Sequence, residues 1–83
     1  MLNAAQVRMA RAGAKMSVRE LAKLSGVADS TILRFETGKG AILATNLARI
    51  QRALEDAGAK FISADAIGGP GVRFDDRGPA EAE

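Results

Sequence analysis

Chemistry in this chain rests on charge, because the sequence contains no histidine and no cysteine. The commonest general base, the usual soft metal ligands, disulfides and thiolate nucleophiles are therefore missing. Among the carboxylates, the adjacent Asp75-Asp76 is the pair to weigh for acid–base or metal work. It has no companion ligand at useful spacing, and it falls at the end of a short strand-like segment, where solvated charge explains it better. Gly38-Lys39-Gly40 lacks the glycine and Lys-Ser/Thr spacing of a nucleotide phosphate loop. No enzyme, no metal site and no cofactor are expected.

What remains is positive charge, unevenly placed. Residues 1–54 carry Arg8, Arg11, Lys15, Arg19, Lys23, Arg34, Lys39, Arg49 and Arg52 against Glu20, Asp29 and Glu36, a net +6. Residues 55–83 carry Lys60, Arg73 and Arg77 against seven acids, a net −4. A basic segment of this kind suits the phosphates of a nucleic acid. Scattered Lys and Arg also simply solvate helices, so charge alone leaves that plainer reading ahead. The chain of 83 residues makes one small domain, able to fold but too small for a deep catalytic cleft. Met1 is followed by neither a basic start nor an apolar run, and no apolar stretch reaches spanning length, so a cytoplasmic, non-membrane protein is expected.

The elements that would position this charge centre on residues 17–38, SVRELAKLSGVADSTILRFETG. Ser17 with Glu20 three residues on forms a capping box for a helix over 18–24. Gly26 stands where a left-handed residue would end that helix, and small Ala22 would let a second helix cross closely. Val27, Ile32 and Phe35 supply the apolar side of a second helix over 28–36. Met16 is expected under the first of these helices with Leu21 and Leu24. A small residue, a four-residue step to glycine and two buried positions beyond it have the layout of a helix-turn-helix.

On Leu21, Ala22, Gly26, Val27, Thr31, Ile32, Phe35, Glu36 and Gly38-Lys39, the stretch resembles the lambdoid phage repressor and Cro superfamily, the XRE-type helix-turn-helix regulators. With flanking helices the likeness covers about residues 6–54. It implies a recognition helix over 28–36 whose N-terminal part faces base edges in the major groove. Carried over residue by residue, the base-reading positions are Asp29, Ser30 and Arg34, with Ala28 at the helix start and Thr31 nearer the DNA backbone. Arg34 suits guanine O6 and N7, and Ser30 is a permissive hydroxyl. Asp29 either accepts from cytosine N4 or merely suits the helix dipole, two readings of equal weight. Leu33 is a thymine-methyl contact or simply exposed. Lys39 and Asn46 are implied phosphate contacts. Val18 replaces a glutamine that relatives commonly use to support a phosphate contact, leaving Arg19 and Lys23 to supply charge there. Relatives also often carry a proline after Gly38, which this loop lacks. In the family an arginine at the Arg11 position pairs with a glutamate at the Glu36 position, implying a structural ion pair.

The flanks complete a mainly α fold. Asn3 and Gln6 form a second capping box, with Leu2 and Val7 as its hydrophobic staple, for a helix over 4–12 stopped by Gly13. Arg11 lies on the Val7 side of that helix, facing the core with a partner or snorkelling to solvent. A fourth helix starts at Ala44 or Thr45, buries Leu47, Ile50 and Leu54, and ends near Ala57 with Gly58 as its cap. Beyond it, 60–63 and 72–75 read as β-prone segments around a glycine-rich turn, a short C-terminal hairpin or ribbon. The expected organisation is a helix-turn-helix domain over 1–58, a ribbon over 59–76 and a disordered tail over 77–83. Phe61, Ile62, Val72 and Phe74 would make the ribbon a dimerisation element, pairing within or between subunits, or would complete the monomer core on the fourth helix.

The leading expectation is thus a sequence-specific DNA-binding transcriptional regulator, by default a repressor, binding a palindromic operator in double-stranded DNA as a homodimer. It would be bacterial or phage-encoded and nucleoid-associated. The alternative is an antitoxin-like or other protein-interaction module that keeps the fold and binds a protein partner.

Overall fold

Side chains close on the first turns of the first two helices. In the computed structural model, which describes residues 1–74, Asn3 Oδ1 accepts from the Gln6 amide at 2.8 Å and Gln6 Oε1 from the Asn3 amide at 3.0 Å. This box opens α1 (Ala4–Gly13), with Leu2 and Val7 buried beside it. Ser17 and Glu20 repeat the exchange at 3.0 and 2.8 Å to open α2 (Val18–Ser25). Each box satisfies two backbone donors that a helix start leaves open. Gly26 then takes φ 75, its amide returning to the Ala22 carbonyl at 2.9 Å, and the chain turns into α3 (Asp29–Glu36). A loop through Gly38, at φ 72, leads to α4 (Ala44–Asp56).

The helices meet around Val7, Leu21, Ile32, Ile50 and Leu54, which are fully buried and come from all four of them. Burying a side chain of this size contributes about 1.5–3 kcal/mol, so these positions carry much of the fold. Met16, Val18, Ala22 and Phe35 pack partly buried against the same cluster. Leu24 does not join Met16 and Leu21: it is 65% exposed. It sits three residues beyond Leu21, where it lines a surface groove beside Ala53 and Asp56 of α4 rather than entering the core.

The chain then pairs β1 (Ala59–Ile62) with β2 (Gly71–Phe74), antiparallel, in register from Ala59↔Phe74 to Ile62↔Gly71. Both strands start one residue earlier than the β-prone segments suggest, because Ala59 is already buried in the core straight after Gly58. The hairpin pairs within the chain and packs on α1 as well as on α4. Buried Gln6 ties it down: Nε2 donates to the carbonyls of Ile62 at 3.3 Å and Gly71 at 3.1 Å. At the other end the Phe74 ring lies on Gly13, where a Cβ would stand 2.8 Å from Cζ. Gly13 is therefore not the stop of α1 but part of it, small so that an aromatic ring can lie on the helix. The left-handed residue after α1 is Lys15, at φ 56. Asp75-Asp76 and the tail over 77–83 lie outside the described residues.

Candidate nucleic-acid interface

Helix α3 has two unlike faces. Ile32 and Glu36 are buried and Phe35 half-buried, whereas Ala28, Asp29, Ser30, Leu33 and Arg34 are exposed and Thr31 is half-exposed. Ser30, Leu33 and Arg34 are spaced three and four apart, so they share one side of the helix, and Asp29 adjoins it through Leu33. This exposed side holds a hydroxyl, a guanidinium, a carboxylate and an isobutyl group. Those groups can donate to guanine, accept from cytosine and touch a thymine methyl.

The face opposite is held by α1. Arg11 Nε and Nη2 donate to the two carboxylate oxygens of Glu36, each at 2.8 Å, and its Nη1 donates to the Met16 carbonyl at 3.1 Å. The Glu36 side chain is 2% exposed and that of Arg11 24%. The hydrogen bond to Glu36 raises the Arg11 pKa above its ordinary value, with partial burial opposing. This bidentate geometry gives the pair direction as well as charge, and Arg11 does not snorkel.

Arg8 is the residue that sequence reasoning counted only as charge. Its Nη1 donates to the main-chain carbonyl of Glu36, at the C-terminal end of α3. A cation there satisfies a carbonyl that the helix leaves open and complements its dipole. Its spacing of three from Arg11, which puts both on one side of α1, was the available signal.

Beyond Glu36 the chain curls back over the helix it has left. Thr37 Oγ1 donates to the Leu33 carbonyl at 2.8 Å, and the Lys39 amide donates to the Arg34 carbonyl at 2.9 Å. The Arg34 guanidinium lies against Gly40, with Lys39 exposed beside it. Asn46 is half-buried in the first turn of α4, and Arg19 is exposed on the first turn of α2. Val18 turns inward onto the core and so has no polar role at that turn. The turn after α3 thus returns the Lys39 main chain to that of Arg34.

Among the described residues no group of three or more His, Cys, Asp or Glu side chains could hold a metal ion. No helix of those residues is long and apolar enough to cross a membrane. A family model described as helix-turn-helix matches residues 7–55, from α1 to the end of α4. No curated protein matches the chain.

Proposed function

The chain belongs to the XRE-type, lambda Cro-like helix-turn-helix family of DNA-binding regulators, and from that premise we propose a sequence-specific repressor that binds a palindromic operator as a homodimer. The observation that carries this reading is α3 itself, pinned by its buried face to α1 while Asp29, Ser30, Leu33 and Arg34 stand free to enter a major groove. In this reading Arg34 and Ser30 read bases, Asp29 faces cytosine, and Ala28 and Thr31 lie along the strand. Lys39, Arg19 and Asn46 hold phosphates, which position the helix without carrying sequence information.

One domain reads a half-site too short to be selective in a genome, and two copies one DNA turn apart double the contacts. The hairpin supplies a surface for the second copy: Phe61, Ile62, Val72 and Phe74 remain partly exposed after packing, and a two-stranded sheet leaves open edges. Occlusion of a promoter by the bound dimer is then the mechanism, in a bacterial or phage setting at the nucleoid. A protein-interaction module is the second reading, favoured by Leu24, Leu33 and Leu43, all more than half exposed.

Selection from a random duplex pool, followed by sequencing, tests the proposal. A palindromic motif is expected, with affinity falling steeply as salt rises, and a dimer at micromolar concentration by analytical ultracentrifugation. No duplex enriched at low salt would sink the DNA reading; a monomer that binds the palindrome tightly would sink the dimer.

A further inference from the structure

Two glycines flank Lys39, and they are glycine for different reasons. Gly38 has φ 72, where an L side chain is strained, and nothing stands within 4 Å of a Cβ built there. Gly40 is outside the left-handed region, so its φ does not demand glycine. What a side chain would meet at Gly40 is Arg34: a Cβ would stand 3.1 Å from Nη2, 3.8 Å from Cζ and 4.0 Å from Nε. These are atoms of one guanidinium, whose Nη2 end therefore crowds the space that a Cβ of Gly40 would need. They are also the far end of a flexible side chain, so a substituent would push Arg34 aside rather than distort the loop.

We propose that Gly40 is a positioning residue for Arg34, the seat on which the guanidinium waits beside Lys39 before DNA arrives. The Lys39 amide, bonded to the Arg34 carbonyl at 2.9 Å, holds the seat at a set distance from the Arg34 main chain. A long side chain that is already placed loses less conformational freedom on binding, so the seat strengthens specific contact without touching DNA. This rests on the reading that Arg34 contacts a base.

The test compares wild type, Gly40→Ala, Gly40→Leu, Arg34→Ala and the double variant Gly40→Leu/Arg34→Ala. Relaxation of the Arg34 side-chain Nε–H by NMR in the free protein reports the seat directly. It should be ordered in wild type and mobile in Gly40→Leu, with melting temperature and backbone spectrum otherwise retained. Affinity for the selected duplex should fall about two- to tenfold in Gly40→Leu, the range that ordering one long side chain commands, and less in Gly40→Ala. The loss should be confined to the base pair that Arg34→Ala stops discriminating, and Gly40→Leu should add nothing once Arg34 is alanine. An Nε–H as mobile in wild type as in Gly40→Leu overturns the proposal, as does an affinity loss that persists undiminished in the double variant. If wild type selects no duplex, the repressor reading falls, and the relaxation measurement still decides the seat.

Discussion

The two ends of α3 are built in opposite ways. At its C-terminal end the Glu36 carboxylate is gripped by Arg11, the Glu36 carbonyl is met by Arg8, and the Thr37 hydroxyl closes on the Leu33 carbonyl. At its N-terminal end Ala28 makes no side-chain cap bond, and Asp29 and Ser30 are exposed. The fixed end continues through α1 into the hairpin, by way of Gln6 and the contact of Gly13 with Phe74. In the proposed reading, stability and base contact then fall to different residues. Damage at the fixed end should unfold the protein without changing base preference, and damage to the exposed residues of α3 and the turn after it should do the reverse.

The largest effect belongs to the grip on Glu36. Arg11→Ala strands a carboxylate that is 2% exposed, and Glu36→Ala strands its guanidinium; each should cost on the order of 3–5 kcal/mol in denaturant unfolding. The folded-state pKa of Arg11 is raised, so its share of the stability is complete below the unfolded guanidinium pKa and disappears only as pH rises through the folded value. The deficit of Arg11→Ala should therefore stay level from neutral to mildly alkaline pH. Unchanged melting in both variants would break the comparison at its strong end.

Gly13→Ala comes next. Alanine is the better helix former, so propensity alone calls for a gain, smaller at this last residue of α1 than the roughly 0.8–1.0 kcal/mol of a helix interior. The methyl would instead press into the Phe74 ring, and overpacking of this sort costs about 1–3 kcal/mol. A net loss of stability, relieved when Phe74→Leu is combined with it, is expected from thermal melts; a net gain would mean that the hairpin does not lie on α1.

Gly13 also shows where the sequence was readable and where it was not. Both capping boxes, the left-handed Gly26 and the apolar spacing of α4 are local signals, each complete within a few residues, and the four helices follow from them. Gly13 offered a local explanation, a helix stop, while its actual reason lies 61 residues away at Phe74. Gln6 likewise reads as half of a capping box, and its bonds to Ile62 and Gly71 have no trace in its own neighbourhood. Leu24 has the spacing of a core residue but lies 65% exposed at a groove beside α4. On the site side, Arg8 was legible in principle from its spacing to Arg11. The seat at Gly40 was not, since a run of two glycines around a lysine looks the same whether conformation or space requires them.

On the exposed side of α3, Arg34→Ala should remove discrimination at one base pair, about 1–3 kcal/mol for the preferred base, and leave unfolding unchanged. Lys39→Ala should weaken all duplexes about equally and lower the salt slope by about one. Identical sequence profiles for the two variants would show that reader and anchor are wrongly assigned.

The smallest effect, and the one that sharpens the contrast most, is to close the open end. Ala28 already has the extended backbone of a capping residue, φ −58 and ψ 141, but offers no acceptor. Ala28→Ser would place an oxygen within reach of the amides of the first turn, as Ser17 does for α2. The helix should gain about 0.5–2 kcal/mol in unfolding free energy, at the low end because the site is exposed to water that already solvates those amides. Asp29 and Ser30 keep their places on the helix, so the preferred bases should not change. A shift in base preference would mean that the cap moves the helix, and that its N-terminal end is set by its first turn as much as by the grip on Glu36. Absence of any stability gain would show that the first turn is frayed before DNA binds, so that α3 is fixed at one end and completed at the other by its ligand.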